Sequence, residues 1–243
     1  WETALRDTLA FRFNAIAGIR DVDSPRKLLR WAKDWGRFLF YRLARKRALL
    51  KDPIALFSAE WLEQTFGLIP VVIIRHPLGY AGSRKKHELH HPFSHFLKQP
   101  ELMRDYLGEF EGEIEHFAHE EKTIVEQATL LWRLIHAVIR TYRQKHPDWI
   151  FVRHEDLCRA PLREYRALYQ KLGLRFTRRS RATIMRHASG SAGVLDDEKL
   201  KRRSAQVIYN WRDRLSPEEI DHVRESTSDL TAAFYPEEHW RGT

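Results

Sequence analysis

The residues whose types and spacing could do chemistry sit at the ends of apolar runs. Val71-Val-Ile-Ile74 is followed at once by Arg75, then by Pro77 and, after five more residues, by Ser83. Four branched apolar residues are the composition of a fully buried parallel strand. A strand that ends in Arg, turns at Pro and continues as a helix puts a guanidinium and a hydroxyl on one rim. In an open α/β sheet that rim, at the carboxyl ends of the strands, is where ligands bind. Arg presents a fixed fork of donors suited to phosphate, and Ser adds a short neutral donor. The bland alternative is a surface Arg and a helix-facing Ser after a core strand.

Two other apolar runs end in the same way. Ala48-Leu-Leu-Lys51 reads as a short buried strand that Pro53 stops, leaving Lys51 and Asp52 at its end. Trp149-Ile-Phe-Val152 reads as another, ending at Arg153-His154-Glu155-Asp156. A basic run, Lys199, Lys201, Arg202 and Arg203, lies further on. If the strands are parallel neighbours, these cations converge on one rim and make an anion site. Glu155 and Asp156 are read as capping a helix at the turn. His87, His90, His91 and His95 lack the spacing of a zinc motif and have no cysteine nearby, so they read as a polar substrate-side segment.

Composition narrows the class. Net charge is +9, from 42 basic and 33 acidic residues, which favours anionic partners: a nucleotide, a sulfated or phosphorylated ligand, or nucleic acid. Nucleic acid ranks last, because the cations are scattered over helix faces and no recognised nucleic-acid module occurs. Hydrophobic residues at 43% exclude a disordered chain. No apolar run approaches the ~20 residues of a membrane helix. Cys158 is the single cysteine, so no disulfide forms within the chain. That suits a reducing, cytoplasmic setting. At 243 residues, one domain is expected.

The elements that position these groups are mostly helices. Residues 1–20 have helical spacing. Ser24-Pro25 caps a long amphipathic helix carrying Leu28, Leu29, Trp31, Trp35, Phe38, Leu39 and Leu43. Residues 59–66 form a helix with Trp61, Leu62 and Phe66 inward, so that residues 48–74 make a strand-helix-strand unit. Residues 99–121 are acidic and helical. Thr123 and Glu126 are a capping box, as are Ser216 and Glu219. Pro161 opens a helix that Gly173 ends, and Thr177 caps a basic helix. The expectation is a three-layer α/β domain with a short parallel sheet and helices on both faces.

The ordered set resembles the sulfotransferases that use 3′-phosphoadenosine 5′-phosphosulfate, in particular the bacterial and tyrosylprotein types. The resemblance runs through Lys51-Asp52-Pro53, Trp61-Leu62, the R-x-P-x-x-x-x-x-S segment from Arg75 to Ser83, Glu155-Asp156-Leu157 with Pro161, Arg203-Ser204-Ala-Gln206, Trp211 and Phe234-Tyr235-Pro236. It implies a P-loop-NTPase-like fold and sulfuryl transfer to a hydroxyl acceptor, such as a glycan, without a metal. It implies that Arg75 and Ser83 hold the cofactor 3′-phosphate, that Arg203, Ser204 and Gln206 belong to a loop over the same end, and that Lys51 lies beside the transferring group. The family's Gly-rich phosphosulfate loop has no counterpart here. A strand, that loop and a helix are therefore expected upstream of Trp1. The general base is unassigned; Asp52 is the local candidate, with His87 and His90 behind it. An inactive nucleotide-binding protein of the same fold is the alternative.

Overall fold

The computed structural model describes residues 2–20, 22–52, 55–189, 208–236 and 240. The chain divides into two compact units, Trp1–Gly67 and Leu68–Thr243.

The first unit is helical. Residues 2–20 form two helices, not one: α1 (Glu2–Leu9) and α2 (Ala15–Arg20). Phe11 takes a left-handed φ of 51° at the break. The turn swings Phe11 and Phe13 onto the rings of Phe38 and Trp31 in α3 (Pro25–Leu43). Aromatic packing outweighs the local helical preference there. Ser24 caps α3 as its type predicts: the Lys27 N–H donates to Ser24 Oγ at 3.4 Å. Gly18 lets α2 lie on α3, because a Cβ there would fall 2.9 Å from the Trp31 ring. α4 (Ala59–Phe66) ends at Gly67, whose φ of 63° makes a left-handed cap. Leu62 is buried as expected, but Trp61 is exposed and only its edge meets Phe66.

The expected strand at residues 48–51 does not form. The segment carries no ladder, and Leu49 is 89% exposed. A three-residue apolar run flanked by Arg45, Lys46 and Arg47 has neither a partner strand nor a face to bury.

The second unit carries the sheet, which among the described residues is one parallel pair. β1 (Val71–Ile74) pairs with β2 (Ile150–Arg153), Val71 opposite Ile150 and Ile74 opposite Arg153. The unit is thus α/β in class, with a small two-stranded parallel sheet in a mostly helical chain. Val72 and Ile74 are buried while Ile73 is 59% exposed, so among the described residues β1 is covered on one face only.

After β1 come α5 (Pro77–Lys86), the short turns α6 (Ser94–Leu97) and α7 (Pro100–Leu102), α8 (Glu111–His119) and α9 (Ile124–Lys145). The expected helix at residues 99–121 is broken by a π turn over Met103–Leu107 and a 3₁₀ turn at Gly108–Phe110. Thr123 and Glu126 make the expected capping box on α9. α9 is buried almost all round, from Val125 through Trp132 and His136 to Tyr142, as befits a central helix. β2 leads straight into α10 (His154–Arg159), then α11 (Pro161–Lys171) and α12 (Arg178–Ser189). A 3₁₀ turn at Asn210–Asp213 precedes α13 (Pro217–Thr231), which Ser216 and Glu219 cap reciprocally. Leu78 and Ala81 of α5, Val125 and Ala128 of α9, Trp211 of the 3₁₀ turn and Val223 of α13 form one core cluster. α5 is therefore held from two sides directly after β1.

Candidate anion-binding site

The turn from β1 into α5 is fixed at both of its peptide groups. The Arg75 carbonyl accepts the Trp132 indole N–H at 2.8 Å. The His76 N–H donates to Glu155 Oε1 at 3.0 Å. Glu155 is buried, and its other oxygen accepts the Tyr235 hydroxyl at 2.7 Å. Burial pushes the Glu155 pKa up, but His154, the His76 N–H and Tyr235 outweigh it and hold the carboxyl down at about 2. Glu155 is thus a charged buried anchor for the turn, not the helix cap its position suggested. Asp156 is occupied by Arg153, whose Nε donates to it at 2.7 Å.

Arg75 then points back along α5. A Cβ on Gly79 would lie 3.6 Å from Arg75 Nε, so the side chain crosses the first turn of the helix. Ser83 follows Gly79 by four residues, one turn on along the same face. The Arg75 guanidinium is half-buried, and burial presses its pKa below the ordinary value; Glu155 and Cys158 oppose this, while Arg214 adds to it. Among the described residues it has no side-chain hydrogen bond or ion pair. Pro77 starts α5, so the helix's positive end lies under this guanidinium.

Arg214 was missed by reading the sequence. It caps the end of the 3₁₀ turn, Asn210–Asp213, whose Trp211 lies on Gly82. A Cβ on Gly82 would sit 3.0 Å from Trp211 Cβ and 3.7 Å from Arg214 Cβ. Only glycine permits that approach, which brings a second cation to α5 near Arg75. The Trp-x-x-Arg spacing was visible; the glycine that receives it, more than a hundred residues earlier, was not marked as its partner.

Four neighbouring cations are already engaged. Arg84 donates to the carbonyls of Leu89 and His90 at 2.6 and 3.0 Å. Lys85 holds both oxygens of Glu219 at 2.7 Å. Arg153, expected on the rim, is tied to Asp156 and lies 5.8 Å from the Tyr235 ring. A cleft of about 410 Å³ runs beside β2, but its Arg153 is so occupied and its Arg143 donates to the Ala233 carbonyl. Among the described cations around the β1–α5 turn, Arg75 and Arg214 make no side-chain hydrogen bond or ion pair.

Of the four histidines only His91 is packed into the unit, while His87, His90 and His95 are exposed. The His91 N–H donates to Gln127 Oε1 at 2.9 Å, and the His91 ring packs on Phe93 and Phe96. Burial lowers its pKa to about 4. Among the described residues no group of three or more His, Cys, Asp or Glu side chains is arranged to hold a metal. Lys51 and Asp52 belong to the first unit and are exposed, on a segment without a strand. Arg203, Ser204 and Gln206 lie outside the described residues. The structure thus brings Arg75 and Ser83 onto one helix face and adds Arg214.

Comparison with family models, with curated proteins and with solved structures finds no match.

Proposed function

We propose that this chain is a sulfotransferase that binds 3′-phosphoadenosine 5′-phosphosulfate and passes its sulfuryl group to a hydroxyl acceptor. The observation that carries the reading is the half-buried Arg75 guanidinium, which lacks a protein partner among the described residues at the end of a parallel strand. Burying a cation without a partner costs free energy unless a ligand supplies the anion. Arg214 beside it raises that cost and calls for an anion of more than one charge, which fits a phosphate monoester. Ser83 offers a hydroxyl donor on the same face. These residues fit the 3′-phosphate end of the nucleotide.

In this reading the chain's own contribution is electrostatic. Arg75, Ser83 and Arg214 bind and orient the nucleotide. The Glu155, Trp132 and Tyr235 hydrogen bonds keep the β1–α5 turn rigid, so little ordering remains to be done on binding. Sulfuryl transfer shifts negative charge onto the leaving oxygen, and a positioned cation stabilises that shift. Lys51 is assigned that role on the strength of the sequence resemblance. The finer three-layer architecture around the parallel pair belongs to the same proposal.

The exposed position of Lys51, on a segment without a strand, favours one second reading, a nucleotide-binding protein of the same fold that does not turn over. A transfer assay separates the two. The chain is incubated with 3′-phosphoadenosine 5′-phosphosulfate and a panel of glycan and phenolic hydroxyl acceptors, and release of the 3′,5′-bisphosphate is followed. Acceptor-dependent release that Arg75→Ala abolishes supports the transferase. Tight nucleotide binding without release supports the inactive protein, and no binding of either nucleotide contradicts both.

A further inference from the structure

The long helix α3 is amphipathic, yet within the first unit its apolar arc is largely uncovered among the described residues. Four positions, Trp31, Asp34, Phe38 and Tyr41, form the stripe that is half-buried. That stripe meets Phe11 and Phe13, and the Trp31 N–H donates to the Ala15 carbonyl at 3.3 Å. The neighbouring arc carries Leu28, Leu29, Trp35, Leu39, Phe40 and Leu43, all exposed, with Leu29 at 72% and Leu43 at 74%. At 100° per residue these six side chains span roughly 140° of the helix surface. No residue of α3 is fully buried. Six large apolar side chains on one face of one helix exceed the scattered singles that a protein surface normally shows.

Charge says what covers this face. Between residues 25 and 47 the chain holds nine Lys and Arg and one acid, Asp34. Arg26, Lys33 and Arg37 border the apolar arc on one side, and Arg42 lies on the other; all four are exposed. A protein surface of mixed charge gains little from so uniform a rim, and a second copy would bring like charges together. An anionic lipid surface meets both features at once. Apolar side chains enter the boundary between headgroups and acyl chains, while the cations stay at the phosphate level. Leucine, phenylalanine and tryptophan on the apolar side with arginine and lysine on the other is the composition such helices use. No helix among the described residues is long and apolar enough to cross a membrane, so the contact is with one leaflet.

We propose that α3 is a membrane-surface helix that docks the chain on an anionic leaflet through Leu28, Leu29, Trp35, Leu39, Phe40 and Leu43. The two contributions are separable. The cations draw the chain to the surface over a Debye length, and the apolar arc holds it there after insertion.

Co-sedimentation of the whole chain with vesicles tests this. Vesicles of phosphatidylcholine with phosphatidylserine should bind the chain, and phosphatidylcholine alone should bind it at least roughly tenfold more weakly. The variant Leu29→Gln, Phe40→Gln, Leu43→Gln keeps every charge and should lose on the order of tenfold or more in vesicle affinity. Arg30→Glu with Lys33→Glu keeps the apolar arc and should lose affinity only for the phosphatidylserine vesicles. Circular dichroism of each variant confirms that the helix content is retained. Binding that salt removes completely and that the Gln variant leaves unchanged would mean that net charge alone is at work, and overturns the proposal. So does an oligomer in free solution that the Gln variant disperses, since the arc would then be an interface between copies.

Discussion

Tyr235 and Glu155, eighty residues apart, meet at 2.7 Å in the interior, and the same carboxylate holds the backbone of the turn that aims Arg75. One buried anion thus links the C-terminal segment, the start of α10 and the strand-to-helix turn of the candidate site. It stays charged because three donors face it.

Removing one of those donors should be felt through the whole unit. Tyr235→Phe keeps the ring and leaves Glu155 Oε2 buried without its hydroxyl. The cost is about 1–3 kcal/mol, the desolvation penalty of an unsatisfied buried acceptor. A urea titration followed by tryptophan fluorescence should show a lower midpoint with an unchanged slope. A change under about 0.5 kcal/mol would mean that the bond is not made.

Acid should weaken the second unit through groups that substitution tells apart. His136 is fully buried, its Nδ1–H donating to the Trp132 carbonyl at 2.8 Å. Burial lowers its pKa from the ordinary 6.5 to about 3. The unfolded chain therefore takes up a proton that the folded one refuses, and stability falls as pH drops below 6.5. Glu155 behaves alike in sign: its pKa is lowered from 4.5 to about 2, so its contribution is full above 4.5 and is lost toward 2. Denaturation midpoints across this range should show His136→Phe lessening the slope between 6.5 and 4.5, the rest of which belongs to His91, whose pKa burial also lowers, to about 4, while Glu155→Gln acts only below 4.5. A midpoint that stays level from 6.5 down to 4.5 in the parent chain would contradict the assignment.

Gly82→Ala should lower stability although alanine is the better helix former by about 1 kcal/mol. Its Cβ would stand 3.1 Å from Trp211 Cα, a backbone atom that cannot rotate away. Net loss on the order of 1–3 kcal/mol is expected from overpacking. The 3₁₀ turn that carries Arg214 must shift, so affinity for the bisphosphate nucleotide should fall as well. A stabilised variant with normal affinity would show that the close approach does not position Arg214.

Lys51→Ala addresses catalysis rather than binding. If Lys51 meets charge on the leaving oxygen, kcat should fall roughly 10²–10³-fold while nucleotide affinity changes little. Arg75→Ala should show the reverse balance. Near-normal kcat for Lys51→Ala would return that lysine to an exposed surface role.

What could be read in the sequence was local. Ser24-Pro25, Thr123 with Glu126 and Ser216 with Glu219 announced their helices because a cap and its partner lie within one turn. Val71-Val-Ile-Ile74 announced a strand because branched apolar residues fill a pleat. Residues 48–51 misled because a short apolar run says nothing of whether another strand lies beside it. Ile73 was expected inside and is exposed, since the number of layers over a strand is a property of the fold. The partners of Glu155 and the seat of Arg214 on Gly82 were not legible for the same reason: each joins segments far apart in the chain. For α3 the pattern was plain, but it could not tell an apolar arc that is covered from one that is open.

The central claim is that Arg75 receives the 3′-phosphate, and a calorimetric cycle tests it most directly. Adenosine 3′,5′-bisphosphate and adenosine 5′-phosphate are each titrated into the parent chain and into Arg75→Ala. The bisphosphate should bind the parent chain much more tightly than the monophosphate. Arg75→Ala should cost the bisphosphate on the order of 2–5 kcal/mol and leave the monophosphate nearly unaffected. Equal affinities of the parent chain for the two nucleotides, or equal losses for both in the variant, would contradict the claim.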